Sequence, residues 1–236
     1  MKKISIIIPA YNEEENILDT VNKVKNIDSD YDIDYIVIND GSKDNTLKIC
    51  QENNLNVINL VSNLGIGGAV QTGYKYAYEN NYDVAIQFDG DGQHDENYIN
   101  LLVDEINEGN DFVIGSRYIG SESEFQSSTM RRFGKNILSS IIKSFGGISI
   151  KDPTSGFRAA NKDVIKIFSK RYPMEYPEPE TIVYLHRLGF KIKEVPVKMH
   201  EREHGKSSIS PLKSIYYMFS VSLAIITTSL FSKGDK

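Results

Sequence analysis

The sequence is short of cysteine, of excess basic charge and of long apolar runs, and each shortage excludes something. One cysteine, Cys50, cannot form an internal disulfide, and no metal–thiolate cluster can be built from it. A reducing, cytoplasmic setting fits. Lysine and arginine total 27 against 32 aspartates and glutamates, a formal net charge of −5. Binding to bulk nucleic-acid phosphate goes with a basic excess, so no nucleic-acid partner is expected. The apolar run Ile4–Ile8 follows two lysines but stops at Pro9, and Asn12-Glu13-Glu14-Glu15 comes soon after. That is too short for a secretory apolar segment and reads as a buried first strand. Towards the other end, Ile215–Phe231 carries no charge for 17 residues, the short limit of a membrane span of about 17–25. Ser220, Ser222, Thr227, Thr228 and Ser229 dilute it. No internal repeat or low-complexity tract is evident.

What is present suffices for one folded domain. The 236 residues are 40% hydrophobic and 25% charged, which is not the balance of a disordered chain. Short β-branched runs at Ile4–Ile8, Tyr35–Ile38, Val57–Leu60, Val84–Phe88 and Phe112–Ile114 read as strands. Between them lie helical stretches. Asn12 and Glu15 form an N-cap and N3 pair for a helix running to Asn26, and Ser42 caps Asp44–Asn53. Gly68–Asn80 reads as a third helix, and Glu96–Glu108 ends at Gly109. Strands that are apolar throughout, alternating with helices, predict an α/β fold with a mostly parallel sheet covered on both faces. Residues 117–130 read as a surface loop, Met130–Phe145 and Pro179–Gly189 as helices, and Ile192–Val197 as a strand.

In such sheets ligands sit outside the carboxyl ends of the strands. The first strand is followed by Pro9-Ala10-Tyr11-Asn12-Glu13, the second by Asp40-Gly41-Ser42, the fourth by Asp89-Gly90-Asp91-Gly92-Gln93-His94, and the fifth by Arg117. The Asp89-Gly90-Asp91 step carries the clearest chemistry. Its glycine lets the chain turn and bring carboxylates to one point, and Gln93 adds a neutral oxygen. Hard cations such as Mg²⁺ or Mn²⁺ take such ligands. Gly65-Ile66-Gly67-Gly68-Ala69-Val70 starts like a dinucleotide fingerprint. However, Val70 stands where the last glycine is required, and the motif follows the third strand. A helix start packed closely on the sheet is the better reading, and a dehydrogenase is a distant third among the functional readings. His94, His186, His200 and His204 lack ligand spacing, which predicts packing or surface roles for the first two.

Taken in order, IIPAYNEE at 7–14, NDGS at 39–42, NLGIGGAVQTG at 63–73, DGDGQHD at 89–95, GSRY at 115–118, DPTSGFR at 152–158 and the Arg202-Gly205-Ser207 pattern form a specific signature. Over residues 4–212 the chain resembles the family-2 glycosyltransferases of the GT-A fold, especially polyprenyl-phosphate sugar synthases related to dolichyl-phosphate mannosyltransferase. It departs at Asn39, where the family often has a second aspartate, and at Ser208, where it usually has lysine; Lys206 is the candidate substitute. The segment Tyr176-Pro177-Glu178-Pro179-Glu180 resembles bacterial members linked to cell-surface polysaccharide assembly.

The resemblance implies a GT-A catalytic domain over 1–211 and a C-terminal apolar helix over 212–236. It implies an inverting, metal-dependent transfer from a UDP-, GDP- or dTDP-sugar to a polyprenyl phosphate or a glycan. Pro9, Ala10, Tyr11 and Glu13 would line the nucleoside pocket, Asp40 would bond base or ribose, and Gly90 would lie at the donor. Asp89, Asp91 and Gln93 would hold Mg²⁺ or Mn²⁺ on the donor diphosphate. Arg117, Arg131, Arg132 and Arg202, with Lys206 and Ser207, would meet acceptor phosphate, and Asp152 is the candidate catalytic carboxylate. For a hydroxyl acceptor the base would be Asp152, Glu178 or Glu180.

Tyr216, Phe219, Leu223, Ile226 and Leu230 recur at helical spacing. That stripe would lie in the membrane interface, pack on its own domain, or bind a membrane-protein partner or a second copy. The expected setting is cytoplasmic, peripheral at the inner face of the cell membrane. The rival reading from another class is a catalytically idle nucleotide-sugar-binding subunit that regulates a membrane glycosylation complex.

Overall fold

The computed structural model describes residues 1–120, 129–200 and 211–231, with side chains described over 1–120, 132–200 and 219–230. Strand β1 (Lys3–Ala10) is followed by helix α1 (Ile17–Lys25), β2 (Asp32–Asn39), α2 (Thr46–Glu52), β3 (Val57–Asn59), α3 (Gly65–Glu79) and β4 (Val84–Gln87). A 3-10 turn over Glu96–Tyr98 leads into α4 (Ile99–Asn107) and β5 (Phe112–Ser116). Then come α5 (Thr129–Ile141), a π-helical turn (Ile142–Gly146), β6 (Arg158–Asn161), α6 (Lys162–Lys170), α7 (Pro177–Arg187), β7 (Ile192–Pro196) and α8 (Pro211–Phe231).

The strands form one sheet in the order β3-β2-β1-β4-β6-β5-β7. Every neighbouring pair is parallel except those made by β6, which runs antiparallel to both β4 and β5. The other six strands therefore end on one edge, and β6 begins there, with Arg158 opposite Gln87 and Ile114. Alternation along the apolar strands feeds two cores. Ile4, Ile6, Ile8, Val37, Ile86 and Val113 face one side with α1, α2 and α4. Ile7, Ile36, Ile38, Ala85, Phe112 and Ile114 face the other with α3, α6, α7 and α8. Each fully buried isoleucine is worth roughly 1.5–3 kcal/mol of transfer free energy.

Four sequence expectations are corrected. Asn12 and Glu15 do not cap α1, which starts at Ile17 after Asn16. Asn12 instead sits at φ +57°. Its N–H donates to Ser42 Oγ at 3.0 Å and its Oδ1 accepts from the Lys43 N–H at 2.8 Å, so the loops after β1 and β2 are pinned together. Ser42 is thereby drawn away from α2, which starts at Thr46, where Asp44 Oδ1 accepts the Thr46 N–H at 2.9 Å. Helix α3 begins at Gly65, ahead of the expected Gly68. Strand β6 and helix α6 had no counterpart in the sequence reading. Of the expected loop at 117–130, residues 121–128 lie outside the described residues.

Close packing of α3 accounts for its glycines. A Cβ on Gly73 would come within 2.2 Å of Ile7, and one on Gly67 within 2.3 Å of the Pro173 carbonyl. Helix α8 packs on its own domain through Val221 and Ile225, both within the core. No helix among the described residues is long and apolar enough to cross a membrane.

Candidate active site

The edge where the strands end gathers the motif residues. Gly90 packs under the end of β1: its N–H donates to the Pro9 carbonyl at 3.3 Å, and a Cβ there would lie 2.9 Å from that oxygen. This sets Pro9 and Ala10 beside Asp89 and Asp91. The Asp89 carboxylate is held from several sides. Gln87 Nε2 donates to its Oδ1 at 3.1 Å, and His94 Nε2 lies 3.6 Å from its Oδ2. A Cβ on Gly156 would meet that same Oδ2 at 2.5 Å, so only glycine leaves the carboxylate its place. Asp91 Oδ1 accepts the Gln93 N–H at 3.2 Å, and the Gln93 side-chain amide donates to the His200 carbonyl at 3.4 Å.

His94 is wholly buried and stacks on Phe157, ring centroids 4.9 Å apart and 15° between planes. Its Nδ1 accepts the Asp89 N–H at 3.1 Å. Burial lowers its pKa, and the negative charges of Asp89 and Asp91 pull the other way. It is a packing histidine, as its spacing predicts.

The loop before β6 carries a second constellation. Arg117 Nε donates to Asp152 Oδ2 and Nη2 to Oδ1, each at 2.7 Å. The Arg117 backbone N–H adds a third bond to Oδ2 at 3.0 Å, and Nη2 also reaches Thr154 Oγ1 at 3.0 Å. Glu194 supports this loop from below by accepting the N–H groups of Lys151 and Asp152, each at 2.8 Å. Asp152 is 0% exposed. A carboxylate engaged this fully is not placed to collect a proton from an incoming hydroxyl.

Glu178, on α7, is differently placed. Burial raises its pKa, the Arg158 guanidinium lowers it, and the Asp89 charge raises it again, which marks the two carboxylates as electrostatic neighbours. Glu180 points elsewhere: Thr228 of α8 donates to its Oε1 at 3.2 Å.

On the nucleoside side, Tyr11 is 41% exposed, and Glu13 bonds the Asn16 amide at 2.8 Å while its N–H is fixed by Thr46 Oγ1 at 2.8 Å. The position expected to bond base or ribose, Asp40, is only 3% exposed. Its two oxygens accept the N–H groups of Leu64 and Gly65 at 2.7 and 2.9 Å, at the start of α3. Orphan N–H groups at a helix start are best met by such a carboxylate, so this geometry makes Asp40 a cap as built. Burial raises its pKa while these two bonds lower it. Arg132 is exposed on α5. The side chain of Arg131, and Arg202, His204, Lys206 and Ser207 entirely, lie outside the described residues.

Sequence reasoning passed over Arg158 and Gln87. Arg158 is 1% exposed and ties the Pro153–Ser155 loop to the start of α7. Its donors reach the carbonyls of Ser155, Glu178 and Pro153 at 2.5, 2.7 and 3.1 Å and Thr181 Oγ1 at 2.9 Å. The available signal was an arginine two residues past Gly156, inside a motif already noted.

Among the described residues no group of three or more His, Cys, Asp or Glu converges to hold a metal alone. Two carboxylates on a glycine hinge, Asp89 cradled by a bare Gly156, instead fit a cation that completes its shell with substrate phosphate and water, as Mg²⁺ and Mn²⁺ do.

Comparison with known proteins agrees with this architecture. The model of glycosyl transferase family 2 matches residues 5–168. A UDP-N-acetylglucosamine–dolichyl-phosphate N-acetylglucosaminyltransferase from Methanococcus voltae is 38% identical, over 86% of this chain and 88% of its own. A polyprenol monophosphomannose synthase from Mycolicibacterium smegmatis is 29% identical, over 92% and 84% respectively. Among solved structures, glucosyl-3-phosphoglycerate synthase from Mycobacterium tuberculosis, in complex with Mn²⁺, UDP and phosphoglyceric acid, superposes with a TM-score of 0.68. It is 20% identical and covers 98% of this chain and 79% of its own, so it attests the GT-A fold.

Proposed function

The chain belongs to glycosyl transferase family 2, and we propose that this glycosyltransferase moves a sugar from a nucleoside-diphosphate sugar to a polyprenyl phosphate by one inverting displacement. The observation that carries the reading is the convergence, on one sheet edge, of the Asp89–Asp91 hinge and the Arg117–Asp152 fork. Relatives named for dolichyl phosphate and polyprenol support the acceptor class.

In the reaction an acceptor phosphate oxygen attacks the anomeric carbon. The bond from that carbon to the donor diphosphate breaks, and its electron pair leaves on the nucleoside diphosphate. Phosphate monoesters are already ionised at pH 7, so the attack needs no general base. An Asp152 bound to Arg117 suits that economy: it orients the guanidinium, which meets the acceptor phosphate. Asp89 and Asp91 would hold the divalent cation, Mg²⁺ or Mn²⁺, with the Gln93 amide beside them. When bound, it supplies Lewis-acid neutralisation of the departing diphosphate. Pro9, Ala10, Tyr11 and Glu13 border the donor side, and Asp40 acts by fixing the start of α3. A lipid acceptor places the enzyme peripherally at the inner face of the cell membrane. We read residues 1–211 as the catalytic domain and 212–236 as its C-terminal helix segment.

The test is a thermal-shift panel of UDP, GDP and dTDP with Mn²⁺, followed by transfer from the matching sugar donors to undecaprenyl phosphate. A favoured nucleotide at about 100 times its dissociation constant adds about 2.7 kcal/mol of stability. Asp91→Ala should lower transfer by roughly 10²–10³, the scale of one lost electrostatic contact in a transition state. Unchanged turnover in that variant with metal chelated would sink the proposal.

A further inference from the structure

Between the Asp89–Asp91 hinge and the Arg117–Asp152 fork stands an acid that the transfer chemistry leaves unused. Helix α7 opens Pro177-Glu178-Pro179-Glu180, with both prolines buried. Proline fixes φ, so the turn that presents Glu178 is stiff. Arg158 fastens the same turn. Its Nη1 donates to the Glu178 carbonyl at 2.7 Å and to Thr181 Oγ1 at 2.9 Å, while Nη2 and Nε hold the carbonyls of Pro153 and Ser155. That loop follows Asp152, which Arg117 forks, and leads to Gly156, which lies against Asp89. Glu178 is thus anchored to both halves of the site.

The Glu178 carboxylate itself has no partner side chain among the described residues. Arg158 is the cation that acts on it most strongly, yet its donors go to four neutral oxygens, one of them the carbonyl of Glu178. The buried Tyr172 ring feels the charges of both Glu178 and Asp89. A carboxylate in such surroundings without donors costs free energy that a ligand's donors can recover. Glu178 is half-buried, so the cleft is where those donors come from. In an inverting displacement the anomeric carbon stands between the leaving diphosphate, on the Asp89 side, and the attacking oxygen, on the Arg117 side. Glu178 feels the charges of both Asp89 and Arg117, and Arg117 feels that of Asp89. The three groups surround one space, and the donor sugar has to occupy it.

We infer that Glu178 reads the donor sugar: its carboxylate accepts hydroxyl groups of a neutral hexose or N-acetylhexosamine and disfavours a hexuronate. The inference rests on the transfer reading given above and adds the class of sugar to it. Sugar hydroxyls are donors, an ionised carboxylate is an acceptor only, and such charge-assisted bonds are strong. A hexuronate brings a further carboxylate into a space that Asp89 and Glu178 already make negative, and like charges there repel. An unpaired charge set against the wrong ligand is a common device of specificity. Glu178 is not needed as a base, since a phosphate acceptor arrives ionised.

The experiment is calorimetry of the full chain with Mn²⁺ and no acceptor. The nucleoside diphosphate that binds best is compared with its own sugar conjugates: UDP with UDP-glucose, UDP-N-acetylglucosamine and UDP-glucuronate, GDP with GDP-mannose and GDP-mannuronate, dTDP with dTDP-glucose and dTDP-glucuronate. Glu178→Ala should weaken the neutral donor about tenfold or more while the bare diphosphate binds as before. The unaltered chain should bind the hexuronate about tenfold or more weaker than the neutral donor, and Glu178→Gln should close most of that gap. Melting of both variants checks that the fold persists; if the alanine variant does not fold, the glutamine variant decides. A purely structural Glu178 would weaken diphosphate and donor alike, and a general base would change kcat and leave donor affinity alone. Either result overturns the inference, as does a hexuronate bound as tightly as the neutral donor. A chain that binds none of the diphosphates sinks the transfer reading itself, which separates the two failures.

Discussion

Arg117 and Asp152 meet fork to fork, two N–H···O bonds of 2.7 Å, with the Arg117 backbone N–H bonded to the same carboxylate. Asp152 is wholly buried, so the pair has left water and its members depend on each other. Removing one partner of such a pair strands the other and costs about 3–5 kcal/mol, whereas removing both costs much less than the sum. Asp152→Ala and Arg117→Ala should therefore be strongly non-additive in a denaturant-unfolding cycle. Asp152→Asn should lower transfer about 10²-fold or more while leaving the shape of the pH–rate profile intact, because the carboxylate orients and does not accept a proton. Loss of the acid limb in that variant would return Asp152 to the role of base.

Gly156 sets a second prediction. A methyl group there would stand 2.5 Å from Asp89 Oδ2. The carboxylate has little room to yield, since Gln87 holds its other oxygen at 3.1 Å. Gly156→Ala should weaken Mn²⁺ binding about 10–100-fold, the scale of disturbing what orients a metal ligand. Electron paramagnetic resonance of Mn²⁺ with the chain, with no donor present, reads this directly. Wild-type affinity in the alanine variant would mean that Asp89 is not the metal ligand.

Much of this was legible from periodicity and strand ends, and the exceptions have physical reasons. The strands with β-branched runs announced themselves. Strand β6 did not: its residues, Arg158-Ala159-Ala160-Asn161, have weak strand preference, and it forms because β4 and β5 flank it on both sides. Missing it also hid α6, which follows directly with Asn161 as its cap, Oδ1 accepting the Val164 N–H at 3.0 Å. The acidic motif was visible as a pattern. What decides the use of each acid was not, because it rests on distant partners: Leu64 and Gly65 for Asp40, and Arg117 for Asp152. Asn12 failed as a cap for the same reason, since its partners lie on another loop.

His94 predicts a pH effect on stability. Burial lowers its pKa below the ordinary 6.5. Between that value and the lower folded one, the unfolded chain binds a proton that the folded protein does not. Stability from this group is thus complete above about pH 6.5 and falls as pH falls through the window. His94→Phe keeps the ring stack on Phe157 but leaves the Asp89 N–H without its acceptor, which should cost about 1–3 kcal/mol at neutral pH. The variant should also lose its share of the acid slope. Melting both proteins from about pH 8 to 5 tests this; parallel profiles would contradict it.

The last prediction concerns Arg158, a buried guanidinium that donates to three carbonyls and a hydroxyl. Its planar fork bridges the loop that carries Asp152 to the helix start that carries Glu178. Lysine brings the same charge but one compact donor group with three hydrogens and no fork, so it cannot reach all four oxygens. Arg158→Lys should leave carbonyls unsatisfied and destabilise the fold by about 2–4 kcal/mol, since each buried orphan costs about 1–3. If the bridge also positions Arg117 and Asp89, the variant should lose turnover at saturating donor more than it loses donor affinity, because the Arg158 hydrogen bonds run to the Pro153–Ser155 loop and the start of α7. Unfolding midpoints and a kcat-against-KM comparison separate the two effects. A stable variant with normal kcat would make Arg158 dispensable to the bridge.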